Sequence, residues 1–241
     1  MEKYNILKEG PEHPDFGVNF EEFLNRGERI GEGGNAEVFT RDNDPDLKNI
    51  GYKKIKPSPQ ILWNDLEKEF DAQEKIYENG VRAPRPYLVF RNKISREEYF
   101  LMERIPGHTL AELIGKNIKL PENFDIDLFM GKINTELQKM HKAGIFHRDL
   151  HTKNIMITPE GDPVIIDFGT AYVSLPGDEE VDSIYEEAVM YRNHKGEYEN
   201  KSGYFMKDSE ALSGVEDSLK SYVNRVNGYI AMDKFGQPID K

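Results

Sequence analysis

Two short motifs constrain the fold of this chain more than any other feature. The first reads His147-Arg148-Asp149-Leu150-His151-Thr152-Lys153-Asn154; the second, Asp167-Phe168-Gly169, begins thirteen residues after Asn154. Between them two apolar runs, 155–157 and 164–166, flank the turn Pro159-Glu160-Gly161-Asp162. They read as two short strands around that turn. Val164-Ile165-Ile166 is apolar at every position, which marks a buried strand that carries Asp167 out of the interior. A fold for this chain has to gather Asp149, Asn154 and Asp167. A second Asp-Phe-Gly, Asp15-Phe16-Gly17, follows Pro14 without an apolar run before it, so it carries no such constraint.

The chain changes character near its middle. Residues 36–40 and 50–55 read as strands, with the turn cluster Asp42-Asn43-Asp44-Pro45-Asp46 between them. The cluster has the outline of a calcium loop. However, Leu47 stands where that loop needs glycine and Lys53 where it needs glutamate, so it reads as a hairpin turn. Residues 61–77 have helical spacing, with Gly80 as a stop. Residues 86–90 and 99–102 read as strands joined by a polar turn at 92–96. Ile126, Phe129, Met130, Ile133, Leu137 and Met140 recur at helical spacing; Asp125 caps that helix and Gly144 ends it in a left-handed turn. Residues 1–26 read as a polar extension and 179–224 as mainly helical. A strand-rich front half therefore meets a helix-rich rear half at 103–107.

Two carboxylates and an amide at this spacing meet the needs of phosphoryl transfer from ATP. One carboxylate steers the attacking hydroxyl, while the amide oxygen and the second carboxylate hold magnesium against the phosphates. On these motifs the chain resembles the protein kinases from about Ile30 to Gly169. The resemblance implies an α+β, two-lobed kinase-like fold with a truncated C-lobe. It divides the chain into an extension (1–26), an N-lobe (27–103) and a reduced helical C-lobe (104–241), with ATP at the hinge between lobes.

The same resemblance assigns further residues. Gly31-Glu32-Gly33-Gly34-Asn35-Ala36-Glu37-Val38 is similar to the kinase glycine-rich loop, with Ala36 in place of its third glycine. Gly31, Gly33, Gly34 and Val38 would line the phosphates, where a side-chain-poor turn lets N–H groups approach. Ile50-Gly51-Tyr52-Lys53 parallels the strand that carries the phosphate-binding lysine. Alternation puts Lys53 and Lys54 on opposite faces, and Lys53 fits the role. Of Glu67, Glu69 and Glu74, Glu69 best matches the helix glutamate that fixes this lysine, although Gln73 breaks the apolar pattern behind it. Met102 would be the gatekeeper, with Glu103 and Ile105 bonding the adenine edge through their backbone. Asp149 would be the catalytic base, and Lys153 would reach the γ-phosphate. Asn154 and Asp167 would hold magnesium, or manganese in its place.

Composition narrows the alternatives. Of 241 residues, 37% are hydrophobic and 11% aromatic, enough for a substantial core in one large domain or two small lobes. A net charge of −12 argues against nucleic acid or anionic membrane as partner. Cysteine is absent, which excludes disulfides, thiolate zinc sites and cysteine nucleophiles and fits a reducing cytoplasm. No apolar run is long enough to suggest a membrane span. The loop spacing of His147 and His151 does not suit zinc; His147 reads as a structural residue.

Beyond Gly169 the resemblance thins. Val181-Asp182-Ser183-Ile184-Tyr185 is the best match to the helix whose aspartate braces the catalytic loop. Arg148 normally answers a phosphorylated loop residue. Asp178, Glu179 and Glu180 either supply that negative charge permanently or are simply solvated. The first case implies that no activating phosphorylation is needed. Reduced kinases of this kind resemble the RIO kinases, the KEOPS-complex kinase and short bacterial effector kinases delivered into a host cytoplasm. Ala36-Glu37-Val38-Phe39 with Tyr52-Lys53-Lys54 is most similar to the effector group. That implies phosphorylation of Ser/Thr in a protein substrate, autophosphorylation included, with room for an activating protein partner. His151, two residues after Asp149, is similar to small-molecule kinases of the aminoglycoside and choline type, which defines a second reading. A nucleotide-binding pseudokinase, acting as a binding module, is the third.

Overall fold

Six short runs rich in β-branched and aromatic residues pair into one antiparallel sheet in the front half. A computed structural model describes residues 3–11, 20–25, 27–32, 36–41, 47–55, 65–122, 124–174, 183–186, 189–192, 198–201 and 205–227. The strands are β1 (Tyr4–Glu9), β2 (Glu28–Glu32), β3 (Ala36–Thr40), β4 (Ile50–Ile55), β5 (Pro86–Asn92) and β6 (Glu98–Glu103), in the order β1-β5-β6-β4-β3-β2. Strand β4 is internal: Lys53 lies opposite Val38 on β3 and Phe100 on β6. Strand pleating gives its two faces different fates. Ile50 and Tyr52 join Phe23, Leu88, Phe90, Tyr99 and Leu101 in one cluster. Ile55 lies on the other face, against Leu66, Phe70, Val89 and Phe100.

Helix α1 (Phe20–Asn25) precedes β2, and helix α2 (Leu66–Glu78) connects β4 to β5. Asp65 caps α2 by accepting from the amides of Glu67 and Lys68. Its buried stripe is Leu66, Glu69, Phe70, Ala72, Gln73 and Ile76. Burying Leu66 or Phe70 stabilises the fold by about 1.5–3 kcal/mol each. Gln73 is tolerated inside because its amide donates to the Pro84 carbonyl at 2.7 Å.

The rear half is built around α4 (Ile126–Lys142), preceded by β7 (His108–Thr109) and α3 (Leu110–Lys116). Asp125 caps α4 through the Leu128 amide, and Gly144 beyond its end adopts φ +72°. Strands β8 (Ile145–Phe146), β9 (Ile155–Ile157), β10 (Pro163–Ile165) and β11 (Tyr172–Val173) follow. They form a β10-β9-β7 sheet and a β11-β8 pair. Next come α5 (Ser183–Glu186), β12 (Val189–Arg192), β13 (Tyr198–Lys201) and α6 (Asp208–Asn227). Ile133, Leu137, Met140, Phe168, Val215 and Leu219 share one core with Ile76 of α2, so this core crosses between the halves.

Three sequence expectations are corrected or refined. The polar extension holds β1 and α1: β1 is a half-exposed edge strand without clean alternation, and α1 is anchored by the buried Phe23 and by Tyr52 Oη donating to the Leu24 carbonyl. The span 179–224 is mainly helical among its described residues, through α5 and α6, but β12 and β13 within it pair antiparallel. Val189, Tyr191 and Tyr198 favour strand. The helix expected over 61–77 begins at Leu66 among the described residues. The turn cluster at 42–46, the Asp15-Phe16-Gly17 motif, Gly33, Gly34, residues 178–180 and Asp182 lie outside the described residues.

Gly107 sets the junction between the halves. It adopts φ +120°, and a Cβ there would lie 2.1 Å from the Ile157 carbonyl oxygen. Gly107→Ala is expected to lower the urea unfolding free energy by about 1–3 kcal/mol, the cost of a residue forced into such backbone. An unchanged midpoint would contradict this packing.

Candidate active site

Three charged side chains meet between the halves. Lys53 projects from β4 toward α2, where Glu69 falls on the buried stripe. Its Nζ donates to both Glu69 oxygens at 2.8 and 2.9 Å and to Oδ1 of Asp167 at 2.8 Å. The side chains of Lys53 and Glu69 are 8% and 2% exposed, while Asp167 is 48% exposed. Lys54 faces the other way, paired with Glu97 at 2.7 Å. Burial works against the Lys53 ammonium, but Asp167 and Glu69 outweigh it and hold its pKa above the ordinary lysine value. Lys53 in turn holds Asp167 below the ordinary aspartate range. Burial pushes the Glu69 carboxyl up, opposed by Lys53. The ammonium is thus the fixed charge of the cluster.

The β9–β10 hairpin brings the two motifs together. The Ile166 amide, next to Asp167, donates to the Asn154 carbonyl at 3.0 Å. Asn154 is 5% exposed, and its Nδ2 donates to the Asp149 carbonyl at 2.9 Å and faces Asp149 Oδ2 at 3.4 Å. His147 is fully buried; Nε2 donates to the Ile166 carbonyl and Nδ1 accepts from the Asp149 amide. It is the loop's structural residue, with Phe168 5.2 Å from its ring. Burial pushes the Asp149 carboxyl up, and His151 and His147 oppose the rise. His151 Nε2 lies 3.7 Å from Asp149 Oδ2, while its Nδ1 accepts from the Lys153 amide. The side chain of Lys153 is exposed, and Lys153 meets the loop through its backbone.

Asp208, at the first position of α6, has no counterpart in the sequence reading. It is fully buried, and its oxygens accept from the amides of His147 and Arg148 at 2.9 Å each and from His141 Nε2 at 2.8 Å. Asp208 thus braces the catalytic loop; Asp182, where a brace was expected, lies outside the described residues. The signal that marks it is an aspartate opening an amphipathic run, Ala211, Val215, Leu219 and Tyr222, all buried. Burial would raise its carboxyl, but the bonds from His141 and the two amides outweigh burial and hold it below the ordinary range.

Of the remaining expected residues, Gly31, Val38, Met102 and Glu103 lie on β2, β3 and β6, and Ile105 just after β6. Gly31 lies opposite Val38 in the β2–β3 register, and Val38 is the cross-strand neighbour of Lys53. Met102 packs under the sheet with Phe100 and Val89. The Glu103 carboxylate turns to Arg82 and to the Arg85 amide, and Ile105 is buried beside Gly107. Among the described residues no group of three His, Cys, Asp or Glu side chains makes a self-sufficient metal cage. Asn154 and Asp167 instead offer two hard oxygen donors. That set suits magnesium shared with phosphate oxygens, since magnesium is commonly held by one or two protein oxygens.

Comparison with known proteins gives a consistent result. A family model described as "Protein kinase domain" matches residues 24–193. The CBL-interacting serine/threonine-protein kinase 16 of Arabidopsis thaliana is 27% identical over 156 residues, covering 63% of this chain and 32% of the relative. The serine/threonine-protein kinases PknA of Corynebacterium glutamicum is 30% identical over 59% of this chain and 31% of the relative. Serine/threonine-protein kinase D of Synechocystis is 29% identical over 58% of this chain and 28% of the relative. The matched region thus spans about a third of the length of these curated relatives.

The Asp208 brace has a pH signature. A carboxyl held below its unfolded value stabilises the fold above that value, and the contribution is lost as pH falls through the folded value. Asp208→Asn is expected to cost about 3 kcal/mol at pH 7, where charged hydrogen bonds are lost. The gap from wild type should shrink below about pH 4 as Asp208 protonates. Chemical denaturation across pH checks this; a gap independent of pH would contradict it.

Proposed function

The chain belongs to the protein kinase domain family, and from that membership we propose that it transfers the γ-phosphoryl group of ATP to serine or threonine hydroxyls of a protein. The observation that carries the proposal is the triple contact of Lys53 with Glu69 and Asp167 beside Asp149 and Asn154. A buried ammonium bonded to the buried Glu69 carboxylate and to the half-exposed Asp167 is suited to meet phosphate oxygens beside Asp167. Serine/threonine kinases among the relatives support the choice of acceptor.

Each residue has a role in this reading. Lys53, fixed by Glu69, neutralises the phosphates. Asn154 and Asp167 would hold magnesium, which shields phosphate charge when bound; manganese offers similar chemistry. The backbone at Gly31, Gly33 and Gly34 would cover the phosphates, and Val38, Met102, Glu103 and Ile105 would surround the adenine. Lys153, on the exposed side of the loop, is left to meet the γ-phosphate or the acceptor. The acceptor hydroxyl oxygen bonds to the γ-phosphorus as the bond to the β,γ-bridging oxygen breaks and ADP departs. Asp149 orients the hydroxyl and accepts its proton, a task suited to a carboxyl whose pKa burial has raised. The division into an N-lobe (27–103) and a C-lobe (104–241) belongs to this proposal, with β1 and α1 of the expected extension (1–26) joined to the N-lobe sheet. So do an ATP-containing cytoplasm, bacterial or host, as the place of action, self-phosphorylation, and an activating protein partner.

The test is incubation of purified chain with magnesium and γ-labelled ATP, against lysate proteins and separately against aminoglycosides and small polyols. Labelled serine or threonine in proteins is expected. Asp149→Ala should lower the rate by about 10²–10⁴-fold, the usual contribution of a positioned base, at unchanged melting temperature. Label in small hydroxyl compounds alone would move the acceptor to the small-molecule class. Nucleotide binding without transfer would leave a binding module.

A further inference from the structure

One arginine ties the end of β6 to the rear half of the molecule. Arg82 lies in the loop between α2 and β5. Its guanidinium forks the Glu103 carboxylate: Nη1 donates to Oε1 at 3.3 Å and to Oε2 at 3.2 Å, and Nη2 donates to Oε1 at 3.2 Å. The same carboxylate accepts from the Arg85 amide at 3.1 Å, while the Glu103 amide donates to the Arg85 carbonyl at 2.8 Å. The backbone of Arg82 is held from the other direction. Its amide donates to Oε2 of Glu136, on α4, at 2.7 Å. Its carbonyl accepts at 3.3 Å from the amide of Ile165, two residues before Asp167. Lys139, further along α4, donates from Nζ to the Gly80 carbonyl at 3.2 Å and to Oε1 of Glu136 at 2.8 Å.

An ion pair whose side chains are 44% and 26% exposed contributes little by itself, because water screens it and ordering both side chains costs entropy. Two features change that here. The guanidinium meets the carboxylate as a planar fork, a geometry that fixes direction as well as distance. Both partners are also anchored through their own backbones, so less freedom is lost on pairing. The fork therefore serves position more than stability. We propose that Arg82 is a positioning residue for the nucleotide: by fixing Glu103 it holds the adenine edge, formed by the Glu103 carbonyl and the Ile105 amide, in register with the strand that leads to Asp167. The inference rests on the phosphotransfer reading, with its adenine beside Glu103 and Ile105, and deepens it. Contacts to the base are remote from the reacting phosphorus and are equally strong before and during transfer. Their loss therefore raises KM and leaves kcat.

The experiment measures, on the full chain, the Kd of magnesium-ATP by titration calorimetry and the KM and kcat of transfer. Arg82→Ala is expected to weaken magnesium-ATP about fivefold and to raise KM to match, with kcat within about twofold; that loss is at the upper end for a part-exposed pair. Arg82→Lys keeps the charge without the fork and should fall between wild type and Arg82→Ala. Added to Glu103→Ala, Arg82→Ala should cost less than about twofold more, because a residue that acts through Glu103 then has nothing to act on. Arg82→Gln carries the expectation of Arg82→Ala if the alanine variant melts below the assay temperature. Wild-type affinity in Arg82→Ala would overturn the inference. So would a kcat loss larger than the rise in KM, or full additivity in the double variant. If wild type binds magnesium-ATP without transferring it, the phosphotransfer reading falls and the Kd values alone decide this inference. If wild type does not bind magnesium-ATP, both are overturned.

Discussion

A single ammonium, 8% exposed, holds together parts of the chain that are 114 residues apart. Lys53 comes from the sheet, Glu69 from the helix beneath it, and Asp167 from the end of a short buried hairpin in the other half. Removing a charge from water costs several kcal/mol, and only well-placed opposite charges offset that cost. The cluster therefore tolerates little displacement of β4, α2 or β10. Breaking one partner of a buried pair typically costs about 3–5 kcal/mol because the other charge is stranded. Asp167 is the exception, with its side chain 48% exposed.

The rest of the site is fixed by backbone contacts more than by charge. Arg148 and Asp167 both occupy left-handed backbone, with φ of 66° and 62°. Neither is glycine, so each conformation needs support from its surroundings. Asp208 supplies it for the first through two amides. The hairpin supplies it for the second, where His147 and Asn154 bracket Ile166 from either side. Such over-determination suits a reaction in which positioning and electrostatics supply most of the rate.

Much of this was legible from residue order. Strands β3 and β4 fall where alternation placed them, Asp125 and Gly144 bound α4 as their chemistry requires, and Lys53 and Lys54 part to opposite faces. Those features are local, and local rules reach them. Asp208 was not legible because its partners are backbone amides 60 residues away, which no spacing rule records. The β12–β13 pair was missed because its runs are short and rich in polar residues. Strand β1 was missed because an edge strand, half exposed, lacks the alternation that marks a core strand. The fork of Arg82 on Glu103 belongs to the same class: a tertiary contact between residues whose sequence neighbourhoods say nothing of each other.

The central claim is that Lys53, Asn154 and Asp167 form one site for a metal-bound triphosphate. Melting temperature measured with ATP alone, magnesium alone and both together tests it most directly, because a ligand that binds only the folded chain raises that temperature. The account predicts a larger rise with both than with either, and loss of the magnesium-dependent part in Asp167→Asn. Equal rises with ATP in the presence and absence of magnesium, or a magnesium effect retained in Asp167→Asn, would contradict it.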